Sequence, residues 1–382
     1  MTKTLSANQH AEAMSDYITE GAKRALALNN RGPVVLDDHG VLKKHILDAY
    51  WKHGFYIFES VINTKELADL RQDIERVLDG APSEPGSDTD RHGRLPVGNE
   101  FARPSFSFAT PLSDPIGGTK KNKGRHPVKM LDPKPAEGAP VWTISNLAGN
   151  LQIMDSCLRL YGHPDLLAVA SAVLGPDFVP YNEVTFIKEP GLGPSVAWHQ
   201  DGTTHWGAED WDFGSHGFNF MIQLYGSTPG NGVWVVPETH SKSRTDIRKL
   251  IAENKSERLQ TAVPLVCQSG DVCIVNRQLV HGSFANTSTE RRVTLNEGFF
   301  PRSRIEDVTT TQLNGKKETY THNRIDKRSQ IIQLAIDARR QYFTDEKSFI
   351  YEPFLGREAD AQWNEGTRQS ILKDYNLTDM YI

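Results

Sequence analysis

Apolar and polar positions alternate in three distinct ways along this 382-residue chain. The first is helical. After a polar opening segment with helical character, "ILDAYWKHGFYIFESVINTKELADLRQDIERVL" sets Leu67, Leu70, Ile74 and Leu78 at helical spacing behind the aromatic and β-branched run "FYIF". This predicts helix, strand, helix. A further helix is expected from about Pro164 in "HPDLLAVASAVLG", stopped by Gly175 and Pro176. The second pattern has no period. Residues 82–140 are rich in Pro and Gly and carry the basic run "KKNKGRHPVK" at 120–129, the signature of a lid or insert loop.

The third pattern has period two. "EVTFIKEPG", "SVAWHQDG", "FNFMIQLYG", "GVWVVPETHS", "GDVCIVNRQLVHGS" and "RRVTLNEGFF" are short β-type runs separated by turn residues. So many short strands predict a sandwich or jelly roll. The expected fold is therefore mainly β with flanking helices, built on a double-stranded β-helix (jelly-roll, cupin-like) core. Residues 1–382 read as one domain, with an N-terminal helical extension (1–45), the 82–140 lid or insert loop, and a C-terminal helical extension (303–382).

Composition narrows the partners. With 38% hydrophobic and 24% charged residues the chain can bury a sizeable core. A net charge of −5 gives no basic face for nucleic acid or an anionic membrane surface. No segment approaches the ~18 apolar residues of a membrane span. The three cysteines, Cys157, Cys267 and Cys273, form neither a disulfide framework nor a CxxC site, which points to a reducing, cytoplasmic setting. A small-molecule substrate is the expected partner, and a homo-oligomer remains open.

The chemistry concentrates in "AWHQDGTTHW", residues 197–206. On a strand His199 and Asp201 face one side, Trp198 and Gln200 the other. One imidazole and one carboxylate suit a first-row divalent ion but need a third ligand, for which His281 in "LVHGSFANTSTERR" is the best candidate. Two histidines and a carboxylate on one face of an octahedral ion make the facial triad of non-haem Fe(II) oxygenases. His205 and His240 read as non-ligands, and Trp198, Trp206 and Trp211 as packing residues. In "RRVTLNEG", Arg292, Thr294 and Asn296 share one face, Val293 and Leu295 the other. An inward Arg292 is suited to a carboxylate such as that of 2-oxoglutarate, whereas Arg291 points outward. Asn219, Gln223 and Tyr225 share a face with Met221 and are candidate contacts.

These stretches together resemble the phytanoyl-CoA dioxygenase family of Fe(II)/2-oxoglutarate oxygenases, from about residue 45 to 300. "YWKHGFYIFESVINTKELADLR" and "HPDLLAVASAVLGPDF" are similar to the family's opening strand and helices. "FIKEPG…WHQDG" carries HxD, "TPGNGVWVVPETHS" resembles the family stretch usually written "ENGCL…PGSH", and "SGDVCIVNRQLVHGSFANTSTERR" carries the distal His and the Arg. The resemblance implies that His199, Asp201 and His281 hold Fe(II) as the catalytic centre. It implies that Arg292 binds the 2-oxoglutarate C5 carboxylate with Ser283 beside it, and that O2 is the other co-substrate. Met221 stands where the family often has Trp, and Gln223 follows it on the same wall. The implied activity is oxidation, by default hydroxylation, of a C–H bond in a small metabolite, with release of succinate and CO2. Asp201 supplies the carboxylate that a halogenase would lack. A jelly-roll metal-binding protein without turnover and a cupin-type metal isomerase or lyase are the alternatives.

Overall fold

A computed structural model describes residues 5–101, 106–312 and 315–375. Two sheets face each other. The larger has eight strands in the order β1-β2-β10-β7-β12-β5-β4-β3, and the smaller four in the order β6-β11-β8-β9. In chain order the strands are β1 (Arg31–Gly32), β2 (Phe55–Phe58), β3 (Phe106–Ala109), β4 (Thr143–Ala148), β5 (Phe178–Lys188), β6 (Val196–His199), β7 (Phe218–Gln223), β8 (Trp234–Val236), β9 (Val263–Pro264), β10 (Val272–Asn276), β11 (Val280–Ser283) and β12 (Arg292–Pro301). A hairpin of β13 (Thr309–Thr311) and β14 (Lys317–Thr319) stands apart from both sheets. Every pairing in the two sheets is antiparallel except the short β1–β2 contact, the hydrogen-bonding of a jelly-roll sandwich.

Period-two patterning decides which face of each strand meets which layer. On β7 and β12 the apolar parity (Phe218, Phe220, Ile222; Val293, Leu295) is fully buried in the largest core cluster. That cluster also holds Leu67, Leu70 and Ile74 of α3 (Thr64–Asp79), the helix α5 (Asp155–Tyr161), α6 (Pro164–Leu174) and the long α8 (His322–Tyr342). The opposite parity faces the smaller sheet. At one end this inner space is filled by Phe55, Ile57, Met221, Cys273 and Val275 against Val235, Val263 and Leu265. At the other end it stays open as the site cavity. The outer face of the smaller sheet, with Trp198, Trp234 and Val280, packs against Met14 of α1 (Ala7–Ala27) and Ile247 of α7 (Ile247–Asn254).

The helix, strand, helix opening is present as α2 (Lys44–His53), β2 and α3, and the 164–174 helix ends at Gly175 as its sequence requires. A short α4 (Asn150–Ile153) precedes α5, and α9 (Glu365–Leu372) closes on α8. Residues 82–140, expected to be a lid or insert loop, carry local order. They contribute β3 to the edge of the large sheet and a turn at 114–132 fixed by Asp114, whose carboxylate accepts from the amides of Gly117 at 2.8 Å and Met130 at 2.7 Å. Among the described residues, no helix is long and apolar enough to cross a membrane.

Candidate active site

β6 and β11 pair so that His281 lies directly across from His199, with ring centroids 4.1 Å apart. The Nδ1 of each ring faces the carbonyl two residues before it, Ala197 O and Leu279 O, at 2.9 Å. A carbonyl can only accept, so each Nδ1 carries a proton, which in the neutral ring leaves the lone pair on Nε2. Both lone pairs point toward Asp201, with Nε2–Oδ distances of 3.6 Å from His199 and 4.0 Å from His281. The three ligand atoms lie within 4.8 Å of one another and all three residues are buried. Metal–ligand bonds of about 2.0–2.2 Å need donors spaced in this way, and two imidazoles with one carboxylate suit a first-row divalent ion.

Asp201 lies just beyond the end of β6, where its backbone amide donates to Arg277 O at 2.7 Å. Gly202 follows with φ 96°, and a Cβ there would meet the His216 ring at 2.5 Å, so the turn that aims the carboxylate requires glycine. Asn219 Nδ2 donates to Asp201 Oδ2 at 3.3 Å. On the opposite face Gln200 spans to Gln278 O at 2.6 Å and Thr245 N at 2.8 Å, anchoring the segment. Burial opposes the Asp201 charge. The guanidinium groups of Arg125 and Arg277 and the two imidazoles nevertheless hold its pKa well below the usual carboxylate range. Burial, reinforced by His281 and His126, pushes His199 well below the ordinary histidine value.

A cavity of about 390 Å³ runs from this cluster between the sheets. Ser283, Met221, Asn219, Arg292, Thr294 and Asn296 line it. Arg292 is fully buried; its Nη1 donates to Asn231 O at 3.1 Å while its Nε has no partner. A buried N–H left in this way is costly unless a ligand satisfies it. Burial lowers the Arg292 pKa to about 10. Gln223 is also buried, but it reaches the cavity only through Thr294, whose Oγ1 donates to Gln223 Oε1 at 2.8 Å. Tyr225 does not share the inward face: β7 ends at Gln223, and the Tyr225 hydroxyl donates to Glu75 at 2.8 Å on the outside, between Arg71 and Arg291. Arg291 points outward to Glu189, 2.8 Å away, and to Glu75.

His240 is wholly buried against Gly54, with Nε2 bonded to Trp51 O at 2.9 Å, and serves packing. His205 holds a left-handed φ of 66° and bonds Thr204. Trp198 donates to Glu257 O at 2.7 Å beneath the smaller sheet, and Trp206 stacks on Trp211.

Four cationic or imidazole groups of the cavity were not legible as site residues. Arg277 stacks on Tyr181, 3.8 Å from its ring centroid, with Nε 3.7 Å from Asp201. Arg125 and His126 arrive from the 82–140 segment: Arg125 Nη1 lies 3.1 Å from Asp201 Oδ1, and the His126 ring lies 4.1 Å from that of His199. Lys188 ends β5 opposite Arg292 in register, is fully buried, and donates to Phe284 O at 2.5 Å. Lys188 had a sequence signal as a lysine in the inward parity of β5, and Arg125 and His126 fall in the basic run at 120–129.

Residues 143–294 match the family model for phytanoyl-CoA dioxygenase (PhyH). The chain is 24% identical over 272 residues to phytanoyl-CoA dioxygenase 1 of Oryza sativa subsp. japonica, covering 66% of this chain and 87% of that protein. Among solved structures, it is similar to AviO1 from Streptomyces viridochromogenes Tue57 (21% identity, 70% of this chain and 96% of that one, TM-score 0.46). It is also similar to EctD from S. alaskensis, solved with 2-oxoglutarate and 5-hydroxyectoine (15% identity, 72% and 80%, TM-score 0.46).

Proposed function

We propose, from the match of residues 143–294 to the phytanoyl-CoA dioxygenase family model, that the chain is a 2-oxoglutarate-dependent dioxygenase that oxidises, by default hydroxylates, a C–H bond of a small molecule. In this reading His199, Asp201 and His281 hold Fe(II), with 2-oxoglutarate and O2 as co-substrates and succinate and CO2 as products. The observation that carries it is the pairing of two Nδ1-locked imidazoles around Asp201 with a buried, incompletely bonded Arg292 in one cavity. A metal kept only for structure has no use for such an arginine.

The bound metal supplies the oxidising chemistry. The chain supplies the rest. Arg292 receives the distal carboxylate of 2-oxoglutarate through charge-assisted hydrogen bonds, with Ser283 lining the same space. Lys188, next to Arg292 in register, donates to Phe284 O, and burial and the Arg292 charge push its pKa well below the ordinary lysine value. Asn219 and the Asp201 amide bond orient the carboxylate, and the Ala197 and Leu279 carbonyls fix the two tautomers. Pro115, Ile116 and Phe186 contribute apolar wall that excludes water beside the reacting C–H bond. The three unbridged thiols support a cytoplasmic location.

The test is succinate formation from 2-oxoglutarate by the Fe(II)-loaded protein. Turnover should be lost in Asp201→Ala. Equal turnover in wild type and Asp201→Ala would refute the assignment of the centre.

A further inference from the structure

The charges around the cavity do not balance. Among the described residues that line it, five are lysine or arginine (Lys123, Arg125, Lys188, Arg277 and Arg292), of which Lys188 is pushed well below the ordinary lysine value by burial and by Arg292, and one, Asp201, is a carboxylate. Positive charge removed from water is retained only where it is paired, which bears on the partly or wholly buried Arg125, Arg277 and Arg292, whereas Lys123 is exposed and stays hydrated at the cavity. A divalent metal and a doubly charged dicarboxylate cancel each other, so the reading of the site above, on which this inference rests, does not correct the excess. Arg292 and Lys188 lie at the wall assigned to the dicarboxylate, and Arg277 is committed to Asp201 and to the Tyr181 ring. What remains is the pair from the 82–140 segment. Lys123 touches only the hydroxyls of Thr203 and Thr310, each at 3.5 Å, and no carboxylate. Arg125 has one carboxylate partner, Asp201, and would lose most of that attraction to a doubly charged ion held by the same carboxylate.

The chain goes to some length to present these two cations. Asn122, Lys123 and Gly124 take φ of 48°, 56° and 70° in succession, a left-handed path that non-glycine residues avoid. The buried Asp114 pins the base of this turn, accepting from Gly117 and Met130 amides, and its own amide donates to Asp132 Oδ1 at 2.7 Å. Outside the cavity the positive potential continues. Arg125 also borders a second hollow with Arg244, Arg248 and Asp246, all three exposed, where the arginines outnumber the carboxylate.

We propose that the substrate carries an oxyanion, a carboxylate or a phosphoryl group, which Lys123 and Arg125 receive at the cavity so that the apolar remainder lies beside the metal. Specificity for the anion then resides in the 120–129 segment, outside the sheets that carry the centre.

The experiment is calorimetric titration of the Mn(II)-loaded protein saturated with N-oxalylglycine, which fills the Arg292 seat, using methyl phosphate and propionate as separate probes. Wild type should bind at least one, and the comparison decides between phosphoryl and carboxylate. Lys123→Ala and Arg125→Gln should each weaken binding at least tenfold, and Arg125→Lys should restore part of it. No binding of either probe to wild type, or unchanged binding in both variants, overturns the proposal. Mn(II) titration of the same proteins keeps the two readings apart. Mn(II) binding without anion binding sinks this inference alone, whereas absent Mn(II) binding sinks the metal site and leaves the Lys123→Ala comparison to be read on the metal-free protein.

Discussion

Arg125 Nη1 stands 3.1 Å from Asp201 Oδ1, so a segment remote from the sheets closes on the carboxylate that both histidines share. This guanidinium occupies space and charge that a divalent ion on Asp201 would need. Two unit charges 4 Å apart interact by about 4 kcal/mol at an effective dielectric of 20, and swinging a flexible side chain away relieves most of that. Arg125→Ala should therefore tighten Mn(II) binding, by roughly tenfold or about 1.4 kcal/mol. Unchanged or weaker Mn(II) affinity in a direct titration would show that the pair does not compete with the metal.

Arg291 and Arg292 are neighbours with opposite fates, and this separates binding from surface charge. Arg292→Ala should weaken 2-oxoglutarate binding to the Mn(II)-loaded protein by about 2–5 kcal/mol, much of it from stranding the carboxylate in a buried site. Mn(II) affinity should hold. Arg291→Ala removes outward pairs with Glu75 and Glu189 and should change stability by only about 0–1 kcal/mol, with 2-oxoglutarate affinity intact. The reverse ranking in the binding isotherms would contradict the strand parity.

That parity shows what the sequence makes legible. Arg292, Thr294 and Asn296 line the cavity while Val293 and Leu295 join the helix-side core, because β12 is regular there and alternation is strict. The same reasoning fails at Tyr225, since alternation carries no information once β7 has ended at Gln223. β4 escaped because "TISNLA" has weak alternation and follows a Pro- and Gly-rich stretch. Arg125 and His126 escaped for a deeper reason. A segment without periodicity gives no clue to which surface it lands on, and its position is set by tertiary anchors such as Asp114, which read in sequence as ordinary turn residues.

Glu297 supplies a pH prediction away from the centre. It lies on β12 across from Glu183, and burial first, then the charges of Glu183 and Glu66, push its pKa well above the ordinary value of 4.5. The folded state thus holds a proton that the unfolded chain releases above pH 4.5 or so. Its contribution to stability is complete below that unfolded value and is lost as pH rises through the window up to the folded pKa. Each unit of elevation is worth about 1.4 kcal/mol. Glu297→Gln should leave Tm nearly unchanged at pH 4.5 and raise it at pH 8. Equal shifts at both pH values in thermal melts would rule out this linkage.

Asp114 tests whether the 114–132 turn is held in place by one buried carboxylate. It is 4% exposed, accepts from the amides of Gly117 at 2.8 Å and Met130 at 2.7 Å, and sits so close to Gly117 that a Cβ there would collide with it. Hydrogen bonds to a charged acceptor contribute about 1.5–3 kcal/mol each, and no apolar cluster under the 120–124 turn can replace them. Asp114→Ala should therefore loosen the segment locally, with faster amide exchange over 115–130 and earlier tryptic cleavage within "KKNKGR". The sheets do not depend on it, so the main unfolding transition should move little. Loosening also withdraws Arg125 from Asp201, and Mn(II) affinity should rise in the same direction as in Arg125→Ala. In the double variant the two gains should fall short of adding, because both remove one contact. Wild-type exchange and cleavage in Asp114→Ala would show that the turn is held by something other than this carboxylate, and fully additive gains in Mn(II) affinity would show that the turn and Arg125 act on the centre independently.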